Sequence, residues 1–305
     1  MQAQTNKRYR VKTALRLRSS PQIMNGNIIT VLPPDTIATA TDSPSAPGWV
    51  GVSVTLSGKE LKGFVSGSYI ELLPFDEPAP VHIEKIAAVH MPERKGTARA
   101  SANGRAYALS EPNMPHREAT ADAPTKIDQV YQILDFLDVE HSLRYQPGKG
   151  VTYCNIYAYD FCCLSGVYMP RVWWSGKALA QLAQGIAQPV KYGDTVNELN
   201  ANSLFDWFRD FGPDFGWERI FDTDELQQKV NEGRTGIIVS QRTVLSRSGH
   251  IVGVIPETSA HQAVRVNGRV NMPLMSQAGV KNKKVFSSQW YLSANFRQYG
   301  FWIHH

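Results

Sequence analysis

Between residues 8 and 74 apolar and polar side chains alternate in short runs. These are Arg10-Val11-Lys12, Leu15-Arg16-Leu17-Arg18, Ile28 to Leu32, Thr36 to Ala40, Trp49 to Val54 and Gly63-Phe64-Val65, with Pro, Gly, Asn and Ser between them. A period of two sends successive side chains to opposite faces of a strand, so several such runs at near-regular spacing predict a small all-β barrel. Residues 75–126 lose the pattern and are rich in Pro, Ala, Glu and Arg, which predicts an extended linker. So long a stretch without structure is unusual, so part of it should pack along the domain that follows. A short element over His82 to His90 and a docking strand at Asn103-Gly104-Arg105-Ala106-Tyr107 are the expected pieces.

From 127 to 305 the period changes. Ile127, Val130, Ile133, Leu134 and Leu137 form one apolar stripe, predicting a helix over 127–141. A turn at Gln146 to Gly150 precedes a helix that begins at Cys154. Further helices are expected over Lys177–Gly185, Leu199–Phe211 and Asp222–Glu232. Strands follow over Thr235–Ser240, His250–Ile255, Gln262–Val266 and Val270–Met275, and Tyr299 to Ile303 reads as a last core strand. Helices first and an antiparallel sheet after is an α+β layout. The chain is therefore expected to be multi-domain, an all-β barrel followed by an α+β domain.

Composition narrows the class. The 305 residues are 42% hydrophobic and 19% charged, as in an ordinary globular protein, and no apolar run is long enough for a membrane span. Met1 to Arg10 is polar and basic, without the apolar core of a signal peptide. A net charge of +5 favours polyanionic partners in general. The basic residues are scattered, so no nucleic-acid partner is expected.

The three cysteines, Cys154, Cys162 and Cys163, are no disulfide framework. Cys154 and Cys162 would stand about 12 Å apart along a helix. With no Cys-x-x-Cys pair and scattered histidines, neither a metal nor a cofactor is expected. One thiol with a chemical task fits better. Cys154 follows a Gly-rich turn at a helix start, where unpaired backbone N–H groups stabilise a thiolate. It is expected to be exposed at the helix tip, with Tyr157, Ala158, Phe161 and Cys162 on the buried face. Cys162 and Cys163 read as small core residues.

Of the eight histidines, His250 alone opens a strand that reads as buried, after Arg247-Ser248-Gly249. It is the candidate general base. Thiol chemistry then needs a third group that fixes the imidazole by accepting its Nδ1–H. Glu257 is the nearest acid, but seven residues of strand would carry it about 23 Å away. The third group should sit on the neighbouring strand, where Gln277 closes Pro273 to Gln277 with an amide oxygen. Gln277 leads, with Asn267 and Glu257 behind it. Backbone N–H groups at Cys154 are candidates for an oxyanion site, with Tyr145 or Tyr153 assisting, and Trp173, Trp174, Trp207 and Trp217 for a cleft lining.

Two resemblances follow from these residues. Leu15 to Pro21, Leu32-Pro33-Pro34-Asp35-Thr36, Gly48-Trp49-Val50 and Gly63 to Ile70 resemble, in order and spacing, the bacterial SH3 (SH3b) domain. That resemblance covers 8–74 and implies a module that binds cell-wall peptide or positions a catalytic partner. Tyr153-Cys154-Asn155 opening a helix, and Ser248-Gly249-His250-Ile251-Val252 opening a strand about a hundred residues later, resemble the NlpC/P60 and CHAP group of papain-like peptidoglycan hydrolases. Residues 127–305 depart from that group between Met169 and Gly233, a long insertion that puts the shape of the cleft in question. The implied protein is a cysteine peptidase of the bacterial cell envelope, or a secreted one. Cys154, His250 and Gln277 would act on an amide of the peptidoglycan stem peptide. The bond between D-glutamate and a diamino acid is the first expectation. An N-acetylmuramoyl-L-alanine amidase and a non-catalytic wall-binding protein are the alternatives.

Overall fold

The computed structural model describes residues 7–24, 26–41, 46–56, 59–73 and 86–305, and the chain divides into two compact units, Met1–His82 and Ile83–His305. Among the described residues no helix is long and apolar enough to cross a membrane.

The first unit is a seven-stranded antiparallel sheet: β1 (Arg8–Val11), β2 (Leu15–Arg18), β3 (Ile28–Leu32), β4 (Ile37–Ala40), β5 (Trp49–Leu56), β6 (Lys59–Ser66) and β7 (Ile70–Leu72). Its order, β3-β2-β6-β5-β4-β1-β7, is open, with β3 and β7 at the edges, so the expected barrel is not closed among the described residues. Val11, Leu17, Leu32, Ala38, Val52 and Val65 fill its core, the inward positions of the alternating runs. Gly63 serves a close approach, because a Cβ there would stand 2.5 Å from the carbonyl oxygen of Arg18 where β2 meets β6.

The second unit starts with residues 86–122, which form no helix or strand and place Ile86, Val89 and Leu109 in its core. Residues 103–107 form turns, not the expected docking strand; Gly104 takes a left-handed φ of 71° that a strand does not use. Of the element proposed over 82–90, residues 82–85 lie outside the described residues, and 86–90 is irregular. α1 (Ala123–Leu137) begins earlier than the apolar stripe indicated, because Asp122 accepts the N–H of Thr125 and Pro124 occupies the first turn. α2 (Cys154–Leu164), β8 (Val172–Trp174), α3 (Gly176–Leu182), β9 (Val196–Glu198), α4 (Ala201–Asp210), β10 (Trp217–Ile220) and α5 (Thr223–Asn231) follow.

The sheet is completed by β11 (Thr235–Arg242), β12 (His250–Val254), β15 (Leu274–Gln277), β16 (Lys283–Ser287) and β17 (Phe296–His304), while β13 (Val264–Val266) and β14 (Arg269–Met272) pair separately. Its order is β10-β17-β11-β12-β15-β16, antiparallel throughout. The single strand expected over 270–275 splits at Pro273, which has no N–H to give to a ladder; β14 turns back on β13 and β15 joins the main sheet.

Both faces of the sheet are covered, which is why β11 and β12 read as continuous apolar runs. Ile237, Val239 and Ile251 face a core built with α1, α2 and α4, whereas Ile238, Val252 and Val254 face Leu226 and Val230 of α5. The segment 169–233, read from the sequence as an insertion, is integral to the fold: α4 packs on β11, and β10 forms one edge of the sheet. At Gly253 helix α2 comes so near β12 that a Cβ would meet the ring of Phe161 at 3.0 Å.

Candidate active site

Cys154 is the first residue of α2 and His250 the first of β12, the strand on which α2 packs. The start of α2 is tied down by the Asn155 amide, which donates to the Leu199 carbonyl at 2.9 Å. The cysteine is not exposed at a helix tip, as the sequence implied, but buried at 3% exposure. Almost the whole helix is buried, Ile156 to Cys162 together with Leu164, because the segment before β8 and the sheet enclose it from more than one side. Cys162 is a core residue, and Cys163 is exposed, against expectation.

The Cys154 thiol faces the backbone N–H of Ile251, the residue after His250, together with the N–H groups of Asn155 and Cys154 and the Thr152 hydroxyl. Burial pushes its pKa up; these four donors pull it back in part. The Cys154 thiol and the His250 imidazole are thus brought to the opening of one strand. His250 is itself half-buried, and desolvation lowers its pKa, a nearby Arg242 adding to that and Gln277 opposing it.

Gln277 ends β15, next to β12 in the sheet, and its Oε1 lies 2.7 Å from His250 Nε2. Its Nε2 donates to the Lys281 carbonyl at 3.1 Å, which fixes the amide so that oxygen faces the ring. An amide oxygen only accepts, so His250 Nε2 carries a proton and Nδ1 is the nitrogen left for chemistry. The orienting bond is therefore at Nε2, not at the Nδ1–H presumed from sequence. Trp290 stands edge-on to the imidazole, 4.6 Å between centroids.

The other two candidates for the third position are elsewhere. Glu257 is held by both Arg265 nitrogens at 2.6 and 2.7 Å and by Asn231 and the Ala263 N–H, which bring its pKa down to about 2. Asn267, at φ 52°, forms with Gly268 the two-residue turn between β13 and β14. Tyr145 is also out of play, fully buried with its hydroxyl donating to Asp160 at 2.9 Å. Tyr153 carries the guanidinium of Arg105 over its ring. Trp173 and Trp207 are buried against each other and Phe215, and Trp217 is buried against Phe208, so they are core rather than cleft.

Several positioning residues have no signal in the sequence. Asn202 of α4 donates to the carbonyls of Leu245 and Arg247 and accepts from the Arg242 N–H, pinning the loop that delivers His250. Gly249 is obligatory there: a Cβ would stand 2.3 Å from the Ser240 carbonyl oxygen and 2.6 Å from Asn202. Asn282 holds the loop after Gln277 to the carbonyls of Val139 and Tyr145. The Ser248-Gly249-His250 string was legible; the side chain that shapes it was not.

Two adjoining cavities open on the site. One of about 330 Å³ contains Cys154, and one of about 1040 Å³ contains His250, Gln277 and Trp290. Thr152 and Ser248 line both. Among the described residues no three His, Cys, Asp or Glu side chains cluster as metal ligands would.

No family model matches the chain, and no curated protein matches it. Among solved structures it is similar to NlpC2 from Trichomonas vaginalis, at 9% identity and a TM-score of 0.24, over 98% of this chain and 71% of that one. The likeness is weak, and the chemistry of the site rests on its own geometry.

Proposed function

We propose that this protein is a cysteine hydrolase of papain-like, NlpC/P60 type that cleaves an amide of the peptidoglycan stem peptide. The observation that carries the reading is the 2.7 Å contact between His250 Nε2 and the fixed Gln277 oxygen, on the strand whose next N–H meets the Cys154 thiol. His250 Nδ1 takes the thiol proton, and the sulfur attacks the amide carbonyl. The backbone N–H groups at Cys154 receive the developing oxyanion. The imidazolium then gives its proton to the leaving nitrogen, the C–N bond breaks, and a thioester and a free amine result. Water, deprotonated by His250, attacks the thioester; the C–S bond breaks, the imidazolium proton returns to the sulfur, and the acyl half departs as a carboxylate. The first unit, read as an SH3b domain, would hold the enzyme on the wall, in the bacterial envelope or outside the cell. The bond between D-glutamate and a diamino acid is the first substrate, and that between muramic acid and L-alanine the second.

A second reading has its own support. Burial raises the thiol and lowers the imidazole, both toward the uncharged pair, which suits a non-catalytic wall-binding protein that keeps the fold. One experiment separates the two. Purified peptidoglycan is incubated with wild type and Cys154→Ala, and soluble fragments are identified by mass spectrometry. Fragments with a new amine and carboxylate from wild type alone are expected. Folded wild type that binds the wall and releases nothing would sink the hydrolase.

A further inference from the structure

Charge is divided unevenly around the site. Arg242, Arg247, Lys281 and Lys283 line the larger, His250-side cavity, and no carboxylate does. Other cations of the second unit are neutralised by carboxylates beside them, among them Arg265 by Glu257, Arg269 by Asp222 and Asp224, Lys284 by Asp135 and Lys229 by Glu225. Among the described residues none of the four cavity cations has an ion-pair partner. Arg242 is half-buried, its guanidinium over the Phe296 ring and its Nε bonded to the Ser248 carbonyl at 3.0 Å, so it is fixed in place without being neutralised. Four uncompensated positive charges around one concave surface raise the local concentration of anions. The Cys154-side cavity carries less net charge: Arg105 and Arg171 line it together with Glu198, to which Arg171 is paired.

The reaction tells which part of a substrate meets this surface. His250 must reach the leaving nitrogen to protonate it, so the amine half of the substrate departs on the histidine side. We propose that the His250-side cavity is a leaving-group subsite for an amine that carries free carboxylates, recognised by Arg242, Arg247, Lys281 and Lys283. The role of the cavity in turnover rests on the hydrolase reading; its preference for carboxylates does not.

The test therefore has two arms. In the first, wild-type protein is titrated by calorimetry and by NMR of labelled histidine with tricarballylate, which has no bond for the enzyme to cleave, and with its uncharged triamide. The tricarboxylate should bind and shift the His250 resonances, and the triamide should not. Lys281→Gln/Lys283→Gln, both exposed, should keep the wild-type melting temperature and weaken binding about 3- to 10-fold. Equal binding of the triamide, no binding at millimolar tricarballylate, or unchanged affinity in a folded double variant would overturn the subsite. In the second arm two peptides share an acyl half and differ in whether the leaving amine's carboxylates are free or amidated. The free form should have the higher kcat/KM, and the double variant should narrow the gap. Turnover without that preference overturns the subsite and leaves the hydrolase standing. Carboxylate-selective binding with no turnover of either peptide or of peptidoglycan does the reverse.

Discussion

The protonation state of Cys154 is open to direct measurement, and the surroundings of the thiol set the expectation. It is buried at 3% exposure, its pKa lies above the ordinary thiol value, and the imidazole that would pair with a thiolate is pushed the other way. Four hydrogen-bond donors oppose the desolvation without cancelling it. An ordinary thiol, with a pKa of about 8.5, is about 3% thiolate at pH 7, and burial holds the Cys154 thiol above that ordinary value. Alkylation of Cys154 by iodoacetamide, followed by intact-mass spectrometry from pH 4 to 10, should then run at pH 7 about thirtyfold or more below its alkaline plateau. A preformed thiolate–imidazolium pair would give a plateau that begins near pH 5. Exposed Cys163 supplies the internal reference, read by peptide mapping. A rate at pH 7 above half the plateau would refute the neutral pair. The same burial fixes a sign for stability. His250 has a folded-state pKa below its unfolded value near 6.5, so its neutral form contributes stability above that pH, and the contribution is lost as pH falls through the depressed folded value. Replacement with Gln should flatten that limb of a melting-temperature profile.

Four further outcomes can be checked on the same protein. Gln277→Ala leaves a half-buried imidazole N–H without its acceptor and should cost about 1–3 kcal/mol of transition-state positioning, lowering kcat roughly 5- to 150-fold with little change in KM. Gln277→Glu should restore activity with the acidic limb of the pH–rate profile moved upward, because a carboxylate beside the ring favours imidazolium. Asp160→Asn strands the fully buried Arg144, which bonds both Asp160 oxygens at 2.6 and 3.1 Å, and should lower stability by about 3–5 kcal/mol by urea denaturation. Gly253→Ala drives a methyl against Phe161 and should cost about 1–3 kcal/mol, with a change in Cys154 alkylation kinetics as α2 is pushed off β12.

What could be seen beforehand follows the range of the interactions involved. Strands with a period of two and helices with one apolar stripe declare themselves locally, so β2, β5, β12, α4 and α5 were close to their expected places. Edge strands β10 and β16 and the pair β8–β9 were not foreseen, since a strand of three to five residues has too few positions to show a period. Pro273 could have divided the strand expected over 270–275, and Asp122 with Pro124 could have moved the start of α1; both are local signals. Burial of Cys154 is another matter. It depends on the sheet and the chain around β8 and β9 closing over a helix start, and no spacing within α2 carries that information.

Gln277 marks the boundary between these two kinds of knowledge. Its role was approached by elimination: a strand rises about 3.3 Å per residue, so Glu257 could not return to His250, and the partner had to come from the next strand. The sheet order β12-β15 supplies that neighbour, and the register Gly253 to Ser276 puts Gln277 beside the strand's opening residues. Which nitrogen it meets was beyond such reasoning, because the ring's rotation is decided by Trp290 at its edge and by the Lys281 carbonyl that turns the amide. That rotation has a chemical consequence. With Nε2 bonded to the amide, only Nδ1 can take a proton from a thiol, so a catalytic Cys154 and a Gln277 that holds Nε2 stand or fall as one arrangement. Substituting either should then abolish or slow the same step, and Cys154→Ala combined with Gln277→Ala should be no slower than Cys154→Ala alone.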